Sequence, residues 1–236
     1  MRKKLLIGVL VGVVAAVGLA VPAQASIPRF GGYAEVSVLH AVPNTPVDVY
    51  VDHHRVLRDF QPGSLVGPYR IRAGAHVVDL TLANSRNDRS PVIGPVTLTF
   101  ARSKNYTIVA HLTAAGAPTA SLYTNDTSRT PRGEGRLIVR HDAAAPAVDI
   151  LAGGTAVVHG LTNPNEAALV LPAGSISASV ALAGTTAPVI GPATVTVSPG
   201  KDTIVYAWGS AAAGNLTVAI QTVRQQFGWY SGSWDW

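Results

Sequence analysis

A histidine and an aspartate occur twice in the sequence at the same spacing, and they are the residues best suited to chemistry. His40 lies eight positions before Asp48, and His141 lies eight positions before Asp149. An imidazole next to a carboxylate can ligate a metal ion or transfer a proton. It can equally bond a neighbouring loop, which satisfies buried polar groups. Because the pair recurs without a third chemical partner, we expect the structural role in both places.

Asp52, His53 and His54 make a second group of side chains that metal ions accept. Successive residues of a strand point to opposite faces of the sheet, so both imidazoles can share an ion only if the chain turns here. The corresponding place later in the chain holds Gly153 and Gly154, which fit a turn. We therefore expect a solvated hairpin tip, with no metal centre and no cofactor.

Aromatic residues are concentrated in the last ten positions, on a background of glycine and serine. Exposed aromatic side chains are costly, so this tail could fold back and cap a groove of the preceding domain. Alternatively, it could stack on sugars, insert at a membrane surface or dock on a partner. The candidate ligand-binding residues of the tail are Trp229, Tyr230, Trp234 and Trp236.

No signature of a known catalytic class stands out in the sequence. We find no G-x-S-x-G elbow, no H-E-x-x-H zinc motif and no phosphate-binding loop. Because the chain has no cysteine, a disulfide, a thiolate nucleophile and a zinc–thiolate site are excluded. We expect a non-catalytic binding or structural module. The alternative is a secreted hydrolase or metal-dependent enzyme that uses His40 and Asp48.

The first 25 residues have the three parts of an export signal. Basic residues at positions 2–4 precede the apolar stretch 5–21, and an A-x-A cleavage motif ends at Ala25. We predict a signal peptide over residues 1–25 and a secreted, extracellular protein that is either released or kept at the cell envelope. The candidate partners are a cell-wall glycan, the membrane surface and another envelope protein.

The mature chain carries too little positive charge to predict a nucleic-acid partner. The whole chain has 18 basic and 13 acidic residues, a formal net charge of +5. Removal of the signal peptide takes away three basic residues and no acid, which leaves a net charge of +2. Binding to phosphates needs a local excess of Lys and Arg, whereas the arginines of this chain are scattered. After the signal, no apolar stretch is long enough to span a bilayer.

The mature chain contains an internal repeat of about a hundred residues, a period long enough to build a domain. The repeated His and Asp are both displaced by 101 positions. The segment Pro91–Pro95 returns letter for letter as Pro188–Pro192. We predict repeat domains at 33–125 and 135–224, a linker at 126–134 and an aromatic tail at 225–236.

Hydrophobic residues alternate with polar ones in both copies, which predicts short, half-buried strands. Val47, Val49 and Val51 illustrate this period of two. About seven strands in each copy, separated by Pro, Gly and Asn, favour an immunoglobulin-like antiparallel sandwich. The predicted fold class is therefore all-β, with two antiparallel β-sandwich domains in tandem. A barrel is the alternative.

The segment Val38–Asp52, which reads VLHAVPNTPVDVYVD, closely resembles the opening signature of a secreted bacterial module, the domain of unknown function 4397 family. The second copy departs from this signature at Arg140, Asp142 and Gly153. The resemblance implies export and a β-sandwich. It implies no catalytic residue, because the activity of the family is unknown.

Overall fold

The computed structural model describes residues 32–226. All secondary-structure elements in this range are β-strands. The predicted signal peptide lies outside the described residues, as does the tail from Phe227 onward. The first eight strands are β1 (Tyr33–His40), β2 (Val47–Val51), β3 (His54–Phe60), β4 (Leu65–Arg72), β5 (Gly74–Leu82), β6 (Ile93–Phe100), β7 (Asn105–Leu112) and β8 (Pro118–Asn125). The second eight are β9 (Glu134–Ala144), β10 (Val148–Ala152), β11 (Thr155–Leu161), β12 (Glu166–Pro172), β13 (Gly174–Leu182), β14 (Pro188–Val197), β15 (Lys201–Ser210) and β16 (Thr217–Arg224).

The strands form four sheets of four strands, two in each half of the chain. In the first domain, the sheet β4-β1-β7-β8 packs on the sheet β3-β2-β5-β6. In the second domain, the sheet β12-β9-β15-β16 packs on β11-β10-β13-β14, with the same order of strands. The prediction of an all-β fold with two tandem sandwiches is therefore confirmed.

Two details of the sheets differ from the prediction. Each domain has eight strands rather than about seven. The additional strands are the edge strands β3 and β11, which were not predicted because their sequences do not show a clear hydrophobic alternation. Both lie at a sheet edge and bury few side chains, so their alternation is weak. The sheets are also not wholly antiparallel, since β1 pairs in parallel with β7 and β9 pairs in parallel with β15.

Three apolar clusters organise the described part of the chain, one inside each sandwich and one between the domains. Alternation along β1 supplies two of them, since Val36 faces its own sandwich and Leu39 faces the second domain. Ile204 and Tyr206 on β15 meet Leu39 from the other side. The two domains thus pack sheet against sheet, which explains why β7 and β9 are buried along nearly their whole length. Between residues 32 and 226 we find no helix able to cross a membrane.

Candidate functional site

Both repeated histidines are buried and hold the loop that follows their strand. His40 Nε2 donates a hydrogen bond to the carbonyl oxygen of Thr45 at 2.6 Å, and the His40 ring stacks on Phe60. His141 Nε2 donates to the carbonyl oxygen of Pro146 at 3.0 Å. Burial lowers the pKa of both imidazoles, and these hydrogen bonds offset only part of that effect. Both rings are therefore neutral at pH 7, with the proton on Nε2.

The repeated aspartates hold the neighbouring edge strand. Asp48 Oδ1 accepts a hydrogen bond from the backbone N–H of Asp59 at 2.8 Å. Asp149 Oδ1 accepts the equivalent bond from Gly160, also at 2.8 Å. In the first domain, Arg55 also donates to Asp48 Oδ2 at 3.0 Å. The two carboxylates thus make the same backbone contact in both repeats.

The structure does not bring either histidine to its aspartate. Within residues 32–226, no hydrogen bond joins His40 to Asp48 or His141 to Asp149. A general base must lie within hydrogen-bond reach of the group it serves. The partner of His40 at that distance is a backbone carbonyl oxygen. The arrangement therefore gives no support to an acid–base or metal site at His40 and Asp48.

The first sandwich contains a cavity of about 570 Å³. Its exposed lining residues include Val56 on β3 and Tyr69 on β4, so the cavity opens between these two edge strands. The buried walls are formed by apolar side chains from both sheets, including Val49, Val78, Leu80, Phe100, Ile108 and Ala110. The volume lies within the range of about 300–1,000 Å³ that is typical of small-molecule pockets.

Polar side chains line one end of this cavity. The ring of His76 lies 2.6 Å from Asp52 Oδ2 through Nδ1 and 2.9 Å from the carbonyl oxygen of Arg72 through Nε2. The guanidinium of Arg70 lies 4.6 Å from the centre of the Tyr33 ring. The lining contains two arginines against one aspartate, so this end carries an excess of positive charge.

Within residues 32–226, the cavity found in the second domain is much smaller. This cavity measures about 60 Å³ and is lined mainly by apolar residues. The strand register places Val170 where the first domain has Arg70, and Ile176 where it has His76. Within the described residues, the second repeat therefore has neither the charged end nor the large cavity.

Asp52, His53 and His54 have three different surroundings. The chain turns at this point as predicted, since Asp52 and His53 have φ values of 50° and 66°. Asp52 faces His76, and His54 lines the cavity. His53 faces away from both, and its Nδ1 lies 2.6 Å from Asp88 Oδ2. The three neighbours in sequence therefore do not converge on one metal ion, although Asp52 and His54 both line the cavity.

A buried polar network that was not predicted from the sequence lies between the domains. Arg140 on β9 is fully buried, and its guanidinium donates to the hydroxyl of Tyr206 and to Asn125 Oδ1, both at 2.8 Å. Its Nε donates to Glu166 at 2.7 Å. The ring of Tyr123 lies 4.1 Å from the guanidinium carbon. One arginine thus connects strands from both domains.

A departure from the repeat marks this network in the sequence. Arg140 and Asp142 stand where the first copy has Leu39 and Ala41. Asp142 is also fully buried, and its Oδ1 accepts a hydrogen bond from the Tyr123 hydroxyl at 2.7 Å. Polar residues that replace apolar ones at buried positions therefore identify the strand that meets the other domain.

The carboxyl group of Asp142 makes stability depend on pH. Among the described residues, Asp142 Oδ2 has no hydrogen-bond partner. Burial raises the pKa of Asp142, so the folded protein holds this proton more tightly than the unfolded chain does. Its contribution to stability is therefore present at low pH and is lost as pH rises above the unfolded value near 3.8.

We predict that wild type loses stability relative to Asp142→Asn as pH rises from about 4 to 7. The slope is at most about 1.4 kcal/mol per pH unit, the value for a single proton. Urea unfolding of both proteins at a series of pH values measures it, and the difference between the two curves isolates Asp142 from other carboxyl groups. Parallel curves would contradict this prediction.

The aromatic residues proposed as ligand contacts lie outside the described residues. They are Trp229, Tyr230, Trp234 and Trp236. Their role in binding therefore stays a prediction.

Comparison with known proteins identifies the family of the chain. A search of curated proteins finds no match. A solved structure, the Bacillus anthracis TIE protein, is 11% identical and aligns over 76% of this chain and 34% of its own, with a TM-score of 0.23. This chain spans about a third of the length of that protein, and so low a TM-score adds nothing to the description of the fold. The family model of the Domain of unknown function (DUF4397) matches residues 34–151, half of the chain. The chain therefore belongs to the DUF4397 family.

Proposed function

We propose that this protein is an exported, non-catalytic binding module whose first domain takes up an amphipathic molecule with an acidic head group. The observation that carries the proposal is the cavity of about 570 Å³ in the first sandwich. Apolar walls around an open cavity of this size leave hydrophobic surface in contact with water, which costs stability. The second repeat shows that the same fold can be built with a cavity of only about 60 Å³. The larger cavity is therefore best explained by a ligand.

The chemistry of the lining selects the class of ligand. The walls between the two sheets are apolar, which suits an acyl chain or a comparable hydrophobic body. Arg70 and Arg72 stand at the mouth, and the His76–Asp52 pair offers hydrogen bonds there. This excess of positive charge is complementary to a carboxylate or phosphate head group.

We also propose that the protein works outside the cell, either released or kept at the cell envelope. The segment 1–25 supports export, and the aromatic tail supports attachment to a glycan, a membrane surface or another envelope protein. We also propose that both domains are copies of the family module, since their strand orders agree. The charged cavity would then be a specialisation of the first copy.

Binding of palmitate by the mature protein tests the proposal. We expect palmitate to displace a fluorescent fatty-acid analogue, and the corresponding neutral alcohol to displace it less well. Val56→Asp is expected to weaken palmitate binding at least about tenfold, a loss of about 1.4 kcal/mol, because it places a carboxylate at the mouth. Equal affinity for acid and alcohol would refute the charged head group.

The second repeat provides a matched control. Val157 occupies the strand position of Val56, is also exposed, and does not line the large cavity. Val157→Asp is therefore expected to bind palmitate as wild type does. Equal losses in the two variants, or no displacement by palmitate in wild type, would refute ligand binding in the cavity.

A further inference from the structure

We propose that His53, Asp79 and Asp88 form a binding site for a divalent first-row transition ion such as Zn²⁺ or Mn²⁺. Each residue offers one ligand atom, and the three atoms all lie within 4.8 Å of one another. The residues come from three separate segments: the β2–β3 turn, strand β5 and the loop between β5 and β6. The site is separate from the cavity, because none of its three residues lines the cavity.

Asp79 is the strongest reason to expect a cation. The residue is only 3% exposed, and its carboxylate makes no hydrogen bond or ion pair with any residue of 32–226. Buried carboxylates are normally paired or bound to a metal ion. Burial, with a smaller contribution from the nearby charge of Asp88, raises the pKa of Asp79. A cation between the two carboxylates would offset the cost of burial and remove the repulsion between the carboxylates.

The fold does not need these residues. The second domain builds the same two-residue turn with Gly154 in place of His53. On the neighbouring strand, the register places Ser179 in place of Asp79. If the sandwich needed these side chains in order to fold, both repeats would have them. Among the described residues, the cluster is found in the first repeat and not at the equivalent positions of the second.

The mixture of donors indicates the kind of ion. An imidazole nitrogen with two carboxylate oxygens suits zinc or manganese, whereas calcium prefers oxygen ligands throughout. His53 Nδ1 donates a hydrogen bond to Asp88 Oδ2 at 2.6 Å. Metal binding displaces this proton to solvent, so that both atoms become ligands. Because His53 is exposed, water can fill the remaining coordination positions.

Titration calorimetry with ZnCl₂ and MnCl₂ tests the site, on the mature protein without a polyhistidine tag. We expect one equivalent of at least one of the two ions to bind wild type and to raise its melting temperature. His53→Gly is expected to keep the fold, because glycine occupies this turn position in the second domain. Both His53→Gly and Asp79→Asn are expected to weaken affinity at least about tenfold, the loss that even an outer-shell partner can produce.

His159→Ala is the matched control for binding to any exposed histidine. His159 is exposed and lies 3.7 Å from one carboxylate, that of Asp149, so it lacks the second carboxylate of the proposed site. This variant is expected to bind metal as wild type does. The proposal is overturned if wild type takes up neither ion, if His53→Gly and Asp79→Asn bind as tightly as wild type, or if His159→Ala loses the binding.

Discussion

Replacing Arg140 by Met is expected to lower the free energy of unfolding by about 3 kcal/mol, the lower end of the cost of breaking a buried ion pair. The lower end applies because Glu166, the charged partner, is 39% exposed and can be rehydrated. The larger part of the loss comes from Tyr206 and Asn125, which would each lose a hydrogen bond at a buried site. Urea unfolding at pH 7 measures the change.

The repeat explains why methionine is a fair replacement. The first domain has Leu39 at the corresponding strand position, so an aliphatic side chain is compatible with this strand. Glu166→Gln is the matched control, because it keeps a hydrogen-bond acceptor and removes only the exposed charge. We expect that control to cost less than Arg140→Met, because the guanidinium keeps its hydrogen bonds to Tyr206 and Asn125. A loss below about 0.5 kcal/mol in Arg140→Met would mean that the apolar cluster alone joins the domains.

Ala110→Phe is expected to abolish palmitate binding while the melting temperature stays equal or rises. Ala110 lines the cavity on β7, so a phenyl ring at this position occupies the space proposed for the ligand. Filling a cavity adds packing contacts and commonly stabilises a protein. The two readouts separate this effect from simple misfolding, which would lower the melting temperature.

Ala207→Phe, at the equivalent position of the second domain, is expected to lower stability and to leave palmitate binding unchanged. Ala110 pairs with His40 in the first domain, and Ala207 pairs with His141 in the second. Ala207 is buried and does not line either cavity, so a phenyl ring there overpacks the core. We expect a loss of about 1–3 kcal/mol and unchanged palmitate binding. If both variants were destabilised equally, the first sandwich would have no usable space at Ala110.

Most of the strands and the sandwich architecture were predictable, because alternation is a local property, but the parallel pairing of β1 with β7 was not. Every second residue of β2 must be apolar for that strand to cover a core, and the pattern is visible in Val47, Val49 and Val51. The edge strand β3 was not predictable in this way. Edge strands are covered on fewer sides, so their sequences need less alternation.

The candidate site was predictable as a set of residues but not as an arrangement. His40 and Asp48 stand out in the sequence, yet each bonds a different backbone group. The cavity could not be found from the sequence at all. Its walls are residues such as Val78 and Ile108, and an apolar residue beside a cavity has the same sequence pattern as one in a filled core.

The sequence alone determined the all-β class, because alternation of apolar and polar residues is a property of neighbouring positions in the chain. The export signal and the two copies of the family module were also predicted from local patterns, and they stay predictions. The contact between the domains and the grouping of His53 with Asp79 and Asp88 were decided by the packing of distant segments. The cost of a buried charge depends on what surrounds it in three dimensions. Arg140 looks like a surface arginine in the sequence, and it is the packing of the second domain against the first that buries it.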